Sequence, residues 1–300
     1  MRTGRDLFVV SLLLLTATGS SPARDTADVK IGGDFAVDAI PDVAYYTGAG
    51  ADANKNKLDL YLPKDQKDFP VLFFVHGGAW TSGDRKLYVP LGKVLAKNGI
   101  GAVIISYRLT PQVQHPGHIE DVARAFAWTH ANIGKHGGRA DQIFVAGHSA
   151  GGHLAALLVT NERYLKAHDL TPKAIKGAIP MSGVYIVGGG DRMKRVFGEG
   201  PEVAESASPL RHVTGKEPPF LILYADDDFP GCDRMSEAMG KALKAAKVEA
   251  ECVSIKDRGH ISIMVRLATS ESDPATQAIL AFVAKHSDLK LRAAKAKSEN

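Results

Sequence analysis

Ile143-Phe-Val-Ala-Gly-His-Ser-Ala-Gly-Gly-His153 joins an apolar run to small residues that lead into a helical pattern. Within it, Gly147-His148-Ser149-Ala150-Gly151 has the G-x-S-x-G spacing of a nucleophile elbow. Such a turn holds the serine between strand and helix with strained dihedrals, and small residues on either side let neighbouring backbones pass closely. The hydroxyl is lifted clear of the sheet and set at the positive end of the next helix. A glycine-rich turn of some other α/β protein has the same five residues, so the remaining chain must decide.

Working outward, 71–75 (Val-Leu-Phe-Phe-Val) is a continuous apolar run, as expected for a strand buried on both faces, and 100–106, 142–146, 174–181 and 220–224 are read as further strands. A further strand is expected at 248–255. Helical periodicity covers 86–98, 118–135, 151–160, 233–247 and 273–286. Segments 43–47 and 57–62 alternate like strands about a turn at 48–56, which predicts an antiparallel hairpin at a sheet edge. Residues 24–40 read as a loose, exposed leader. Residues 182–219 break the pattern, with Gly188-Gly-Gly190 and scattered charges, and are expected to form an insertion of short helices over the serine. Strands alternating with helices predict an α/β fold: a mostly parallel central sheet with helices on both faces. Without an internal repeat or low-complexity linker, 24–300 is expected to be one domain.

The chain has 300 residues, 45% hydrophobic and 23% charged, with a net charge of +4. This is globular composition, and no basic stripe interleaved with aromatics points to nucleic acid. Arg2 and Arg5 precede Leu7-Phe-Val-Val-Ser-Leu-Leu-Leu-Leu15, and small residues follow to Ala23. That order predicts a secretory signal peptide over 1–23, with cleavage after Gly19 or Ala23 and a secreted or periplasmic product. The run is too short for stable membrane insertion. Cys232 and Cys252 are the only cysteines, and spacing leaves both a disulfide and two free thiols open. There is no C-x-x-C, and His115-Pro-Gly-His118 lacks further ligands, so no metal and no cofactor are expected. Nothing in the pattern speaks to oligomeric state.

A serine hydroxyl needs a base to take its proton and a carboxylate to orient that base. On such a sheet the acid and then the histidine follow the serine, each just past a later strand. The acid is expected in Ala225-Asp226-Asp227-Asp228, with Asp228 favoured over Asp227. Of the 11 histidines, His260 is the one that follows the last strand, and Gly259 permits the tight turn. His148 and His153 flank the serine and are read as lining or supporting the pocket. For the oxyanion, His76-Gly77-Gly78-Ala79-Trp80 follows strand 71–75. The N–H groups of Gly77 and Gly78, with that of Ala150, are expected to form a three-donor hole. Arg108 is expected to pair with Glu120 or Asp121, and Trp80 to serve as core or as pocket wall.

The set His76-Gly-Gly-Ala-Trp80, Ser106-Tyr-Arg-Leu109, Glu120-Asp121, Gly147-His-Ser-Ala-Gly-Gly152, Asp228 and His260 resembles the α/β-hydrolases. It is most similar to the hormone-sensitive-lipase-like carboxylesterases, in the branch with feruloyl-esterase-like and kynurenine-formamidase-like members. Leu58-Asp-Leu-Tyr-Leu-Pro63 fits the same pattern, and the resemblance spans about 43 to 286. It implies a carboxylesterase acting on small-molecule esters of short acyl or aryl type, with Ser149, Asp228 and His260 as triad and Trp80 and His148 against substrate. Ala79 stands where lipase-type relatives have a third glycine, which argues against bulky tertiary-alcohol esters. The acid loop lacks the usual preceding glycine. The rival readings are an arylformamidase or other amide hydrolase, and a hydrolase-fold binding protein without catalysis.

Overall fold

The computed structural model describes residues 34–287. The signal-peptide expectation for 1–23 and the basic C-terminal tail lie outside them. Eight strands form one sheet: β1 (Val37–Ala44), β2 (Lys57–Pro63), β3 (Phe69–Val75), β4 (Gly101–Ile105), β5 (Gly138–His148), β6 (Gly177–Met181), β7 (Phe220–Asp227) and β8 (Ala250–Gly259). Their order across the sheet is β1-β2-β4-β3-β5-β6-β7-β8. Strand β2 runs antiparallel to both neighbours, and every pair from β4 to β8 is parallel. The expected edge hairpin and mostly parallel sheet are therefore present.

The helices are α1 (Val89–Lys97), α2 (Gly117–Asn132), α3 (Ala150–Thr160), α4 (Arg163–Lys166), α5 (Asp191–Phe197), α6 (Pro201–Ala207), α7 (Cys232–Ala245), α8 (Ser262–Thr269) and α9 (Pro274–His286). The apolar runs have no period because both faces of the sheet are covered. Val71, Phe73 and Val75 of β3 join α2 and α3 residues such as Phe126 and Leu154 on one face. Leu72 and Phe74 join Leu91 and Leu95 of α1 and Ile279 and Val283 of α9 on the other. No helix among the described residues is long and apolar enough to cross a membrane.

Three boundaries differ from expectation for physical reasons. Strand β1 begins at Val37, inside the segment read as a loose leader. It is a largely exposed edge strand with a register shift between Ile40 and Val43, where Pro41 is tolerated, so it lacks an apolar signature. The helix expected from 86 starts as a tight turn, Arg85–Tyr88, and becomes α-helical at Val89 with proline near its start. Helix α8 follows His260 directly, in a stretch where no element was expected. The insertion contains α5, α6 and a tight turn at Pro209–His212, as its short-helix reading predicted.

Two ion-pair networks fix the loops at the C-terminal edge of the sheet. Arg85 is 2% exposed. Its guanidinium donates to Asp59 at 2.8 Å, to Asp42 and to the Asn54 carbonyl, which ties the edge hairpin to the segment after β3. Of the two candidate partners for Arg108, Asp121 is the one engaged: Arg108 Nε and Nη2 each donate to its carboxylate at 2.8 Å, and the Arg108 N–H at 3.0 Å. Asp121 is fully buried and also accepts from Arg124 at 3.0 Å. Arg108→Ala leaves that buried carboxylate with only the main-chain N–H of residue 108 and Arg124, and is expected to lower stability by about 2 kcal/mol in urea unfolding. Arg124→Ala is expected to cost under about 1 kcal/mol.

Candidate active site

The elbow forms where β5 meets α3. Ser149 has φ 56° and ψ −117°, a conformation costly for any residue with a side chain. Its N–H donates to the Met181 carbonyl at 2.8 Å, which anchors the turn on the neighbouring strand end. A Cβ on Gly151 would lie 2.0 Å from the Val75 carbonyl oxygen, so only glycine lets α3 start so close to the end of β3. Ala150 opens α3, where a first-turn N–H has no acceptor within the helix.

Three side chains from three strand ends meet here. His260, just past β8, places Nε2 2.9 Å from Ser149 Oγ. Its Nδ1 lies 2.6 Å from Asp228 Oδ1. The carboxylate can only accept, so Nδ1 carries the proton and Nε2 faces the hydroxyl as an acceptor. Of the two carboxylates left open, Asp228 is the one bonded to the imidazole, while Asp227 is exposed and sits opposite Gly259. Asp228 also accepts from the Ser182 hydroxyl, the Phe229 N–H at 2.8 Å and the Ala225 N–H at 3.2 Å. Burial alone would raise its pKa. The hydrogen bonds from His260, Ser182 and Phe229 outweigh burial and hold the carboxyl well below the usual carboxylate range. A hydroxyl paired to an acceptor imidazole, itself held by a carboxylate, can attack a carbonyl carbon as its proton moves to Nε2.

The loop after β3 requires one correction. The Gly77 N–H, expected in the oxyanion hole, is directed at the Tyr88 hydroxyl, 3.3 Å away. Tyr88 ends the tight turn before α1, and its ring packs near His76, so the donor is drawn out of the site. Gly78, Ala79 and Trp80 follow with φ of 116°, 54° and 59°, which turns the chain sharply. The N–H groups of Gly78 and Ala79 make no hydrogen bond among the described residues. With Ala150 they are the donors left over. A Cβ on Gly78 would meet the Ser82 carbonyl at 2.2 Å.

Trp80 and His148, expected against substrate, are both buried and committed to internal bonds. The Trp80 indole N–H donates to His153 Nδ1 at 3.2 Å. The opposite nitrogen of His153 therefore carries its proton and donates to the Ala207 carbonyl at 2.7 Å. One imidazole thus links the loop after β3, the elbow helix and the insertion. The insertion packs on Trp80 and His153 through Phe197, while Ser149 itself remains partly exposed. His148 donates Nε2–H to the His260 carbonyl at 2.8 Å and supports the backbone of that residue.

Other participants carried no motif. Ser182, which donates to Asp228, is marked only by its place after β6. Phe229 stacks on the His260 ring, with centroids 4.1 Å apart and planes at 21°. Cys232 opens α7 with its sulfur, the Asp228 carboxylate and the His260 ring within 4.8 Å of one another. Burial, and then the Asp228 charge, push that thiol up to about 12, so it stays protonated. Both cysteines are free.

A serine on a strained elbow at the C-terminal edge of a mostly parallel sheet, with an aspartate and a histidine from later strand ends, is the arrangement of the α/β-hydrolase fold. The BD-FAE family model matches residues 58–181. Esterase LipQ of Mycobacterium tuberculosis is 33% identical over 217 residues, covering 66% of this chain and 52% of LipQ. The chain spans about half the length of the first relatives it matches. Kynurenine formamidase of Danio rerio is 26% identical over 245 residues, covering 78% of this chain and 80% of the relative. Among solved structures, a truncated carbohydrate esterase from gut microbiota superposes with a TM-score of 0.71 at 19% identity, covering 87% of this chain and 98% of that one. Esterase B from Lactobacillus rhamnosis gives 0.71 at 21% identity, covering 85% and 86%. The fold is the α/β-hydrolase fold of these enzymes.

Gly78→Ala would displace the Gly78 N–H group and, on the esterase reading proposed below, is expected to reduce turnover about 10²–10³-fold, with the thermal midpoint as the folding control. Stability should also fall in acid. Burial holds His76, His118, His148 and His153 near 4, against 6.5 for a free imidazole. They are neutral when folded and protonate on unfolding between those values. Their contribution is complete above about 6.5 and is lost as pH falls toward 4, at up to about 1.4 kcal/mol per pH unit for each group. Asp228 adds a loss at still lower pH, below the range of an unfolded aspartate. Urea midpoints measured from pH 7 to pH 4 check the sign.

Proposed function

We propose that the chain is a serine carboxylesterase acting on small esters with short acyl or aryl groups. The observation that carries this is the continuous relay Ser149–His260–Asp228, at 2.9 and 2.6 Å. Ser149 Oγ bonds to the ester carbonyl carbon as its proton passes to His260 Nε2. The oxygen that becomes negative is held by N–H groups of Gly78, Ala79 and Ala150. The C–O bond to the alcohol then breaks, and that oxygen takes the proton from Nε2. A water, deprotonated by the same nitrogen, releases the acid and restores the serine. Asp228 keeps Nδ1–H in place and stabilises the imidazolium. No step calls on a metal or cofactor.

The short insertion supports small substrates, because its helices α5 and α6 have seven residues each and Phe197 of α5 packs edge-on against the buried Trp80. Activity on p-nitrophenyl acetate, falling along the series to palmitate and absent in Ser149→Ala, is the expected result. Retention of activity in Ser149→Ala would overturn the proposal. A second reading, hydrolysis of an aryl formamide, is favoured by the formamidase relative that aligns over most of both chains. The same machinery acts there on a C–N bond. Turnover of N-formylkynurenine at a kcat/KM above that for p-nitrophenyl acetate would select it. The order of charged, apolar and small residues over 2–23 supports export of the enzyme.

A further inference from the structure

We infer that Phe229 is the platform for the alcohol half of the ester, and that this half is apolar or aromatic. The inference rests on the esterase reading above. In that reaction the departing oxygen takes its proton from His260 Nε2, the atom that faces Ser149 Oγ. Whatever is attached to that oxygen must therefore lie beside the imidazole. The imidazole is flanked on two sides. His148 is one neighbour, with centroids 4.8 Å apart, and is buried. Phe229 is the other, near-parallel to the ring at 4.1 Å, yet 59% exposed.

An exposed phenyl ring stacked on a buried histidine is an unusual use of apolar surface. Two further exposed apolar side chains follow His260 in the chain. Ile261, adjacent to His260, is 64% exposed, and Val265, one helical turn further along, is 54% exposed. These side chains offer apolar area and no hydrogen-bonding group, so they suit an aromatic or hydrocarbon alcohol better than a sugar. The acyl half leaves the carbonyl carbon on the side away from Nε2, so Phe229 discriminates among alcohols rather than acids.

The test compares benzyl acetate, ethyl acetate and ethyl phenylacetate, which place a ring on the alcohol side, on neither side and on the acyl side. Phe229→Ala is expected to lower the ratio of kcat/KM for benzyl acetate to that for ethyl acetate by about tenfold, with Phe229→Trp restoring it. The ratio of ethyl phenylacetate to ethyl acetate is expected to stay within about twofold. Equal losses on all three esters would overturn the inference and leave Phe229 as a residue that only positions His260. A loss confined to ethyl phenylacetate would also overturn it. Failure of the unaltered protein to hydrolyse any of the three would defeat the esterase reading itself, a result distinct from either.

Discussion

The close backbone approach at Gly151 is the constraint on which the site depends. With 2.0 Å between the Val75 carbonyl and the place a Cβ would occupy, helix α3 starts against the end of β3 only if that residue has no side chain. The approach sets the elbow beside the His76–Trp80 loop, so Ser149 and the N–H groups of Gly78 and Ala79 share one edge of the sheet. The strain at Ser149, about 1–3 kcal/mol for such dihedrals, is held by the Met181 carbonyl on one side and by the first turn of α3 on the other. A longer separation would relax the turn and lower the hydroxyl toward the sheet.

Around that point three buried histidines, His76, His148 and His153, are held neutral. His76 lies between Tyr107 and Tyr88, His148 beneath His260, and His153 between Trp80 and Ala207. Each is buried, and burial disfavours the charged ring. Neutrality also fixes direction in His153: one nitrogen accepts and the other donates. A protonated His153 would oppose a donor to the indole N–H of Trp80, and the loop carrying Gly78 and Ala79 would lose its support.

Much of this was readable in the chain. Buried parallel strands show as unbroken apolar runs, so β3 and β5 were evident, and the serine, histidine and acid follow from their places after strands. The choice of Asp228 over Asp227 was not fixed by spacing, because it depends on which carboxylate Ser182 and the Phe229 N–H can reach. The Gly77 donor was misassigned because a tyrosine 11 residues away captures it, and no local pattern reports that contact. Arg85 gives no sign of burial between Asp84 and Lys86. Its desolvation is settled by Asp59 and Asp42 on the hairpin. Strand β1 was hidden by its exposure, since an edge strand with a proline lacks the pattern that marks the others.

The placement of His260 has a consequence for durability. Ser149 follows β5, deep in the sheet, whereas His260 follows β8, an edge strand that pairs on one side only among the described residues. Outer strands open more readily than inner ones. A brief fraying of that margin would carry the imidazole away while Ser149 kept its strained turn, so the contact between them would be lost on warming before the core collapses. Amides of β8 would exchange with solvent sooner than those of β3 and β5, and the life of the Ser149–His260 contact would follow the fastening of that strand rather than the melting of the centre.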